Sequence, residues 1–321
     1  MNFKSNGKFL LTGEYLVLKG ATALALPLKF GQSMDVENLD KNESLIYWNA
    51  YIKSTDNGQQ TTDSDSETNW FSAILNKNDF SIVSSDDIEK AERLSNILKQ
   101  AKLSNNNIFT EDNDFSFQCH LDFNPQWGLG SSSTLISNIS EWANVNPYQL
   151  LSSTFKGSGY DIACAKAEGP IFYNVNRQQT TDNKPIVRET DFNPPFKDNL
   201  YFIYRGLKQN SSNEVKAFLD KKKNFEEEVK SISKISEILP DLQTLRDFCY
   251  FIKIHEEIMS KCLEQKRLKK YFSDFEGEIK SLGAWGGDFF MAATEWDFEK
   301  TKDYFENKGL NVVLKYKDIV L

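Results

Sequence analysis

The chain is short of the residues that build metal centres and disulfide frameworks. Its four cysteines (Cys119, Cys164, Cys249 and Cys262) are scattered without a Cys-x-x-Cys pair, and the only histidines are His120 and His255. A structural zinc site needs four such ligands at short spacing, so that class is excluded. Scattered cysteines fit reduced thiols, and a cytoplasmic location is the expectation. Met1–Gly7 is polar with no apolar signal core. No apolar run approaches the roughly 18 residues of a membrane span, so no membrane partner is expected. Positive charge is scarce as well: 38 Lys and Arg face 46 Asp and Glu, a net charge of −8. Nonspecific nucleic-acid binding depends on clustered cations, and nucleic acid is not an expected partner. A local basic pocket for a small anion stays open. There is no internal repeat, no Gly-Lys-Ser/Thr of a Walker loop, and no Gly-x-Ser-x-Gly elbow for a hydrolase using Ser131 or Ser158 with His255.

Apolar residues make up 40% of the chain and aromatics 13%, enough for a sizeable core. A length of 321 residues exceeds the usual domain of about 100–200, which predicts two lobes sharing a cleft. A break at Asn193-Pro194-Pro195 divides residues 1–193 from 194–321. Phe9, Leu11 and Tyr15–Leu18 around Gly13-Glu14 read as strand, tight turn, strand. Ala21–Leu26 is an apolar run stopped by Pro27, and Ser54–Thr68 is a polar loop. Ile88, Ala91, Leu94, Ile97, Leu98 and Ala101 predict a helix over Asp86–Lys102. Phe115, Phe117, Cys119, Leu121 and Phe123 alternate as a strand. A second helix carries Leu135, Ile136, Ile139, Trp142 and Ala143. Farther on, Asn199–Tyr204 reads as a strand, Ser212–Glu237 as one charged helix and Leu242–Glu264 as another. Phe298–Lys308 is a helix and Asn311–Tyr316 a strand.

Three glycine clusters could carry chemistry. Gly128-Leu129-Gly130-Ser131-Ser132-Ser133 lies between a strand and a helix. Glycines let backbone amides approach a phosphate, a helix N-terminus adds unpaired N–H groups and partial positive charge, and serines supply hydroxyls. The same string also reads as an ordinary helix cap, for which Ser is a preferred residue. Gly157-Ser-Gly159-Tyr-Asp161 places a carboxylate just past a turn, where it serves as a base, as a metal-side carboxylate or as a surface-turn Asp. Gly283-Ala-Trp285-Gly286-Gly287-Asp288 brings backbone close to something bulky, a ligand or another segment. Lys8 and Glu14 flank the first strand, where a lone charge is ordinarily solvated.

In order and spacing these strings resemble the GHMP kinase superfamily, named for galacto-, homoserine, mevalonate and phosphomevalonate kinases. Asn6–Gly20 is similar to its first motif and Pro125–Thr134 to its phosphate loop. Gly157–Ala163 matches the catalytic-aspartate segment, and Gly283–Ala292 the C-terminal glycine motif. Gly206–Val215 is a weaker match to the substrate-side segment. Gly13-Glu14-Tyr15, the Gly157–Asp161 string and Asp288 resemble phosphomevalonate kinases in particular, and Gly159-Tyr-Asp-Ile-Ala163 a bacterial subgroup of them. Two departures stand out. Ser132 and Asp161 are separated by only 28 residues, with Glu141 the sole acidic residue between Ser133 and Asp161, and Trp285 replaces a glycine.

The resemblance implies an α+β fold in two lobes, an N-terminal lobe like ribosomal S5 domain 2 and a ferredoxin-like C-terminal lobe. It implies an ATP-dependent kinase of isoprenoid precursor synthesis that uses Mg²⁺ and acts on mevalonate or phosphomevalonate as a monomer or homodimer. Alternatives within the resemblance are a sugar or homoserine kinase and a catalytically silent nucleotide-binding homologue. Asp161 and Lys8 would be catalytic. Gly128, Leu129, Gly130, Ser131, Ser132 and Ser133 would bind the nucleotide, with Ser132 on the metal. Glu14, Tyr15, Gly159, Ser211, Ser212, Gly286, Gly287 and Asp288 would face the small-molecule substrate. Lys208 and Arg205 are candidate partners for a substrate phosphate.

Overall fold

The computed structural model describes residues 1–321 apart from Ser54, 57–58, 61–66, Glu111, Lys156, 176–183, 208–210, Lys222, Ala284 and Gly286. Of the polar stretch Ser54–Thr68, Ser54, 57–58 and 61–66 therefore lie outside the described residues, as do Lys208 and Gly286. The described part is extended strand rather than loop: Thr55–Asp56, Gln59–Gln60, and Glu67 and Thr68 as the first residues of a longer strand. The chain folds into two compact units. One holds Met1–Gly7, Phe30–Pro125 and Gly130–Lys166; the other holds Lys8–Lys29, Gln126–Leu129 and Ala167–Leu321.

The first unit is built on the N-terminal part of β1 (Asn2–Leu10), the C-terminal part of β2 (Ala23–Leu39), β3 (Leu45–Lys53), the short β4 (Thr55–Asp56) and β5 (Gln59–Gln60), β6 (Glu67–Asn76), β7 (Ile82–Ser85) and β8 (Asp114–Leu121). Its helices are α1 (Ile88–Ser104), α2 (Ser131–Trp142), α3 (Pro147–Thr154) and α4 (Tyr160–Ala165). The sheet runs β2-β8-β3-β6-β7, with β1 also on β2. β2 and β8 are antiparallel, Gln32 opposite Leu121 and Leu39 opposite Asp114. β3 and β8 are parallel, which the crossover through β6, β7 and α1 makes possible. Alternate residues on these strands (Met34, Val36, Trp48, Ala73, Phe117) share one core with Leu94, Ile97 and Leu98 of α1 and Ile136 and Ile139 of α2. The predicted helix and strand are both present. α1 starts where the Asp87 side chain accepts from Lys90 N–H, a cap that satisfies one of the four orphan donors.

The second unit contains β9 (Ile171–Asn174), β10 (Ile186–Glu189), β11 (Leu200–Tyr204), α5 (Ser211–Leu219), α6 (Glu226–Ile238), α7 (Leu245–Leu263), β12 (Glu278–Ser281), β13 (Phe289–Ala293), α8 (Phe298–Glu306), β14 (Val313–Lys315) and α9 (Tyr316–Ile319). Its four-stranded sheet has the order β12-β13-β11-β14, antiparallel throughout. Tyr201, Ile203, Phe272, Ile279, Phe290, Phe305 and Val313 pack into one core. The α+β class expected from the sequence is the class found, with a mixed sheet in one unit and an antiparallel sheet in the other.

Three further local expectations fail for physical reasons. Tyr15–Leu18 is not a second strand: Gly13 (φ 85°) and Tyr15 (φ 58°) turn the chain into a 3₁₀ turn over Leu16–Lys19. Pro27 does not stop β2. It lies between the ladder to β9, which ends at Ala25, and the ladder to β8, which begins at Gln32, so its missing N–H breaks neither. The charged helix Ser212–Glu237 is two helices, α5 and α6; the N-cap of the second is Phe225, and the Asn224 side chain before it accepts from Glu226 N–H.

Candidate functional site

The glycine-serine string ends in helix α2, and its local geometry separates the two readings of the sequence. The N-cap is Gly130 (φ 99°), with no side-chain cap. The serines are the first three helical residues, and none of them is the N-cap. Ser133 Oγ donates back to Gly130 O at 2.8 Å. Ser131 is half-buried and Ser132 exposed. The first-turn N–H groups of a 12-residue helix thus meet no side-chain acceptor at the cap, the condition under which a helix N-terminus takes an anion. The helix is held from beneath by a buried polar network. Thr134 Oγ1 donates to Gln32 Oε1 (2.7 Å), Asn138 Nδ2 to Gln32 O (3.0 Å) and Ser5 Oγ to Asn138 Oδ1 (2.7 Å).

The start of the string is fixed within the second unit. Lys8 Nζ donates to Gly128 O at 2.7 Å, and Lys8 N–H to Leu129 O at 3.0 Å. Gly128 has φ 69°, and a Cβ there would meet Asp288 Oδ2 at 1.9 Å. The backbone of the loop therefore rests on the Asp288 carboxylate, and only glycine leaves room for it. Trp127 packs edge-on to Phe289 (5.9 Å between centroids) and against Tyr204 (6.1 Å), whose Oη donates to Gln126 O. Burial, with Asp288 nearby, pushes the Tyr204 phenol up. Arg205 N–H donates to Asp288 O at 2.7 Å, and burial lowers its guanidinium pKa.

Asp161 stands in the first turn of α4, whose N-cap is Gly159 (φ 87°). It is half-buried, and its Oδ1 accepts from Ile162 N–H at 3.1 Å. Burial pushes the neighbouring Tyr148 phenol up to about 12, with Cys164 and Asp161 adding to it. Glu141 is exposed and ion-paired with Lys166. Among the described residues no group of three or more His, Cys, Asp and Glu is placed to hold a metal ion. The exposed hydroxyl of Ser132 fits one ligand of a magnesium ion whose other ligands come from phosphates and water.

Glu14, expected at the substrate, lies 1% exposed inside the second unit. Its Oε1 accepts from Lys280, which also pairs with Glu256 Oε1 at 3.2 Å and donates to Ser281 O. Glu256 accepts from Ser281 Oγ (2.9 Å) and from Trp285 Nε1 (3.3 Å). His255 Nε2 accepts from Gly13 N–H at 3.2 Å. Burial pushes the Glu14 carboxyl up to about 7 against the pull of Lys280. Burial, aided by Lys280, holds His255 down at about 4. Burial acts to raise Glu256, but Lys280, His255 and Ser281 outweigh it and its pKa is lowered. Trp285 adopts φ 52° and is buried on Glu256. None of Lys280, Glu256 and His255 is apparent as a site residue from local sequence. The usable signal is the stripe Leu245, Phe248, Ile252, His255, Met259, in which a histidine occupies a core position of α7.

Of the remaining substrate-side candidates, Tyr15 is buried with its ring 5.4 Å from Phe218, and Gly287 is buried. Ser211 and Ser212 open α5.

No family model matches the chain, and no curated protein matches it in sequence. Solved structures do match over nearly the whole length. The chain is similar to the mevalonate kinase of Methanococcus jannaschii (18% identity, 96% of this chain and 94% of that one, TM-score 0.61). It is similar to Streptococcus pneumoniae phosphomevalonate kinase, solved with phosphomevalonate and AMPPNP (16%, 98% and 97%, TM-score 0.65). It is also similar to a D-glycero-D-manno-heptose 1-phosphate kinase of Bacteroides thetaiotaomicron (14%, 98% and 94%, TM-score 0.59). The fold is the GHMP kinase fold. Within it, the mevalonate and phosphomevalonate kinases are among the structures it resembles. No helix among the described residues is long and apolar enough to cross a membrane.

Proposed function

We propose that the chain is an ATP-dependent small-molecule kinase that transfers the γ-phosphoryl group of ATP to phosphomevalonate or mevalonate. The observation that carries the reading is the uncapped N-terminus of α2 behind the left-handed Gly130, with the half-buried Ser131 and the exposed Ser132 beside it. Phosphoryl transfer asks mainly for positioned groups and neutralised charge, and backbone N–H groups at a helix start supply both. Ser131 and the amides of Gly128–Ser133 hold the β- and γ-phosphates. Ser132 would hold a magnesium ion together with phosphate oxygens, and the ion would supply positive charge against the transferred group.

The acceptor oxygen attacks the γ-phosphorus, the bond to the β,γ-bridging oxygen breaks, and ADP leaves. An alcohol acceptor must lose its proton, and Asp161 accepts or orients it. A phosphate monoester, with a second pKa of about 6, arrives largely ionised, and Asp161 then orients it. Lys8 holds the loop at Gly128 O and adds positive charge for the transfer. Tyr15, Gly159, Ser211, Ser212, Gly286, Gly287 and Asp288 make up the substrate side, and Arg205 and Lys208 are partners for a substrate phosphate. The similar phosphomevalonate kinase, solved with phosphomevalonate and AMPPNP, supports this choice of donor and acceptor. Similarity to a heptose 1-phosphate kinase favours a phosphorylated sugar as the second reading.

A coupled ADP-release assay with ATP and magnesium, run across mevalonate, phosphomevalonate, diphosphomevalonate, homoserine, galactose and heptose 1-phosphate, decides between them. Turnover on phosphomevalonate or mevalonate supports the proposal, and turnover on a sugar alone replaces it with the second reading. Nucleotide binding without ADP release on any acceptor marks a silent homologue.

A further inference from the structure

Four ionisable side chains of the second unit, Glu14, His255, Glu256 and Lys280, are each at most 1% exposed. With both carboxylates ionised, Lys280 charged and His255 neutral, the cluster would carry one uncompensated negative charge. Buried charge without a partner is strongly disfavoured, so one proton is missing from that inventory. The hydrogen bonds say where it sits. Gly13 N–H donates to His255 Nε2, which leaves that nitrogen unprotonated and puts the ring hydrogen on Nδ1, 3.9 Å from Glu256 Oε1. Glu14 Oε1 is taken by Lys280. Glu14 Oε2 is buried without a hydrogen-bond donor and lies 3.4 Å from His255 Nε2. An ionised oxygen there faces another acceptor, whereas a protonated one can share the Nε2 lone pair with Gly13 N–H.

We infer that Glu14 carries a proton on Oε2, directed at His255 Nε2, and that this proton makes the cluster electroneutral and positions the Gly13–Tyr15 turn. Glu14 is thus a positioning residue of the turn. The groups that face it are Lys280 from β12 and His255 and Glu256 from α7. The turn needs holding, because Tyr15 sits at φ 58°, ψ −45°, a region that non-glycine residues occupy only when their surroundings impose it. The geometry extends to the last glycine motif, since Glu256 also receives the indole N–H of Trp285 at φ 52°. Two strained turns, far apart in sequence, are fastened to one neutral buried cluster.

Glu14→Gln tests this, because an amide reproduces a protonated carboxyl: its oxygen accepts from Lys280 and its NH₂ donates toward Nε2. Urea unfolding of the full chain is followed from about pH 4.5 to pH 8, comparing variant with native. A Glu14 that is protonated in the fold and ionised when unfolded makes the native protein lose stability relative to the variant as pH rises. The ratio of unfolding constants then shifts in the variant's favour by about tenfold per pH unit until the folded group ionises. Exchange of the Val17 amide, bonded to Gly13 O, speeds up in the native protein above about pH 7, beyond base catalysis, and not in the variant. A ratio that is flat, or that moves in the native protein's favour with rising pH as an ionised Glu14–Lys280 pair requires, overturns the inference. Should the variant not fold, infrared difference spectra of the native protein decide. A protonated-carboxyl carbonyl band at neutral pH, lost on alkaline titration, supports the inference, and no such band contradicts it.

Discussion

Gly128 and the carboxylate of Asp288 occupy adjoining space so tightly that a single added carbon on the glycine would lie 1.9 Å from Oδ2. Residues 160 positions apart thereby set the entry to the glycine-serine loop. Gly128→Ala should cost stability twice over: about 1–2 kcal/mol for a side chain in the left-handed region, and more for the collision. Asp288→Ala in the same chain should relieve the collision and leave the backbone strain. Urea unfolding of both single variants and the double variant measures this coupling, and additive costs would disprove the contact's role.

Glu256 accepts from Trp285 and Ser281 and pairs with Lys280, all fully buried. Truncating one member of a buried charge cluster leaves the other uncompensated, at about 3–5 kcal/mol. Glu256→Ala should lose that much stability. Lys280→Met paired with Glu256→Leu should recover a large part of it, by the same denaturant measurement.

The sign for His255 runs opposite to that for Glu14. Its folded pKa of about 4 lies below the usual 6.5, so the ring stays neutral in the fold while the unfolded chain takes up a proton. Stability from this group is present above about 6.5 and is lost as pH falls towards 4. Glutamine in its place can still accept from Gly13 N–H and does not titrate. The native protein's advantage over His255→Gln should therefore shrink through that window, as read from thermal midpoints.

Asp161 distinguishes acceptors. On an alcohol, Asp161→Asn should lower turnover by about 10²–10⁴-fold, the usual contribution of a general base. A phosphate acceptor should suffer less, because its oxygen is already ionised. Steady-state kinetics on mevalonate and phosphomevalonate measure the ratio, and full activity on either removes Asp161 from the mechanism.

The elements that show in the sequence are those whose signal is local. α1 carries an Asp cap and an apolar stripe, β8 alternates Phe115, Phe117 and Cys119, and α2 follows directly on the glycine-serine string. The errors arise where a distant partner or a backbone torsion decides. Tyr15–Leu18 has strand-like composition, but positive φ at Gly13 and Tyr15 turns it aside. For the proposed site, residue types mark the glycine-serine loop as a candidate phosphate cradle, whereas the arrangement around it depends on tertiary contact. Lys8 reads as a lone surface charge until Gly128 O is placed against it. Glu14 reads as a substrate group until Lys280, an ordinary lysine in a short strand, is buried beside it.

The central claim is that the first turn of α2 receives nucleotide phosphate, and backbone amide NMR on the native chain tests it most directly. Titration with AMPPNP and magnesium should shift the Ser131, Ser132 and Ser133 N–H resonances in a saturable way. Adenosine alone should leave them in place. Saturable binding that leaves these three amides unmoved, or no binding at all, would contradict the account.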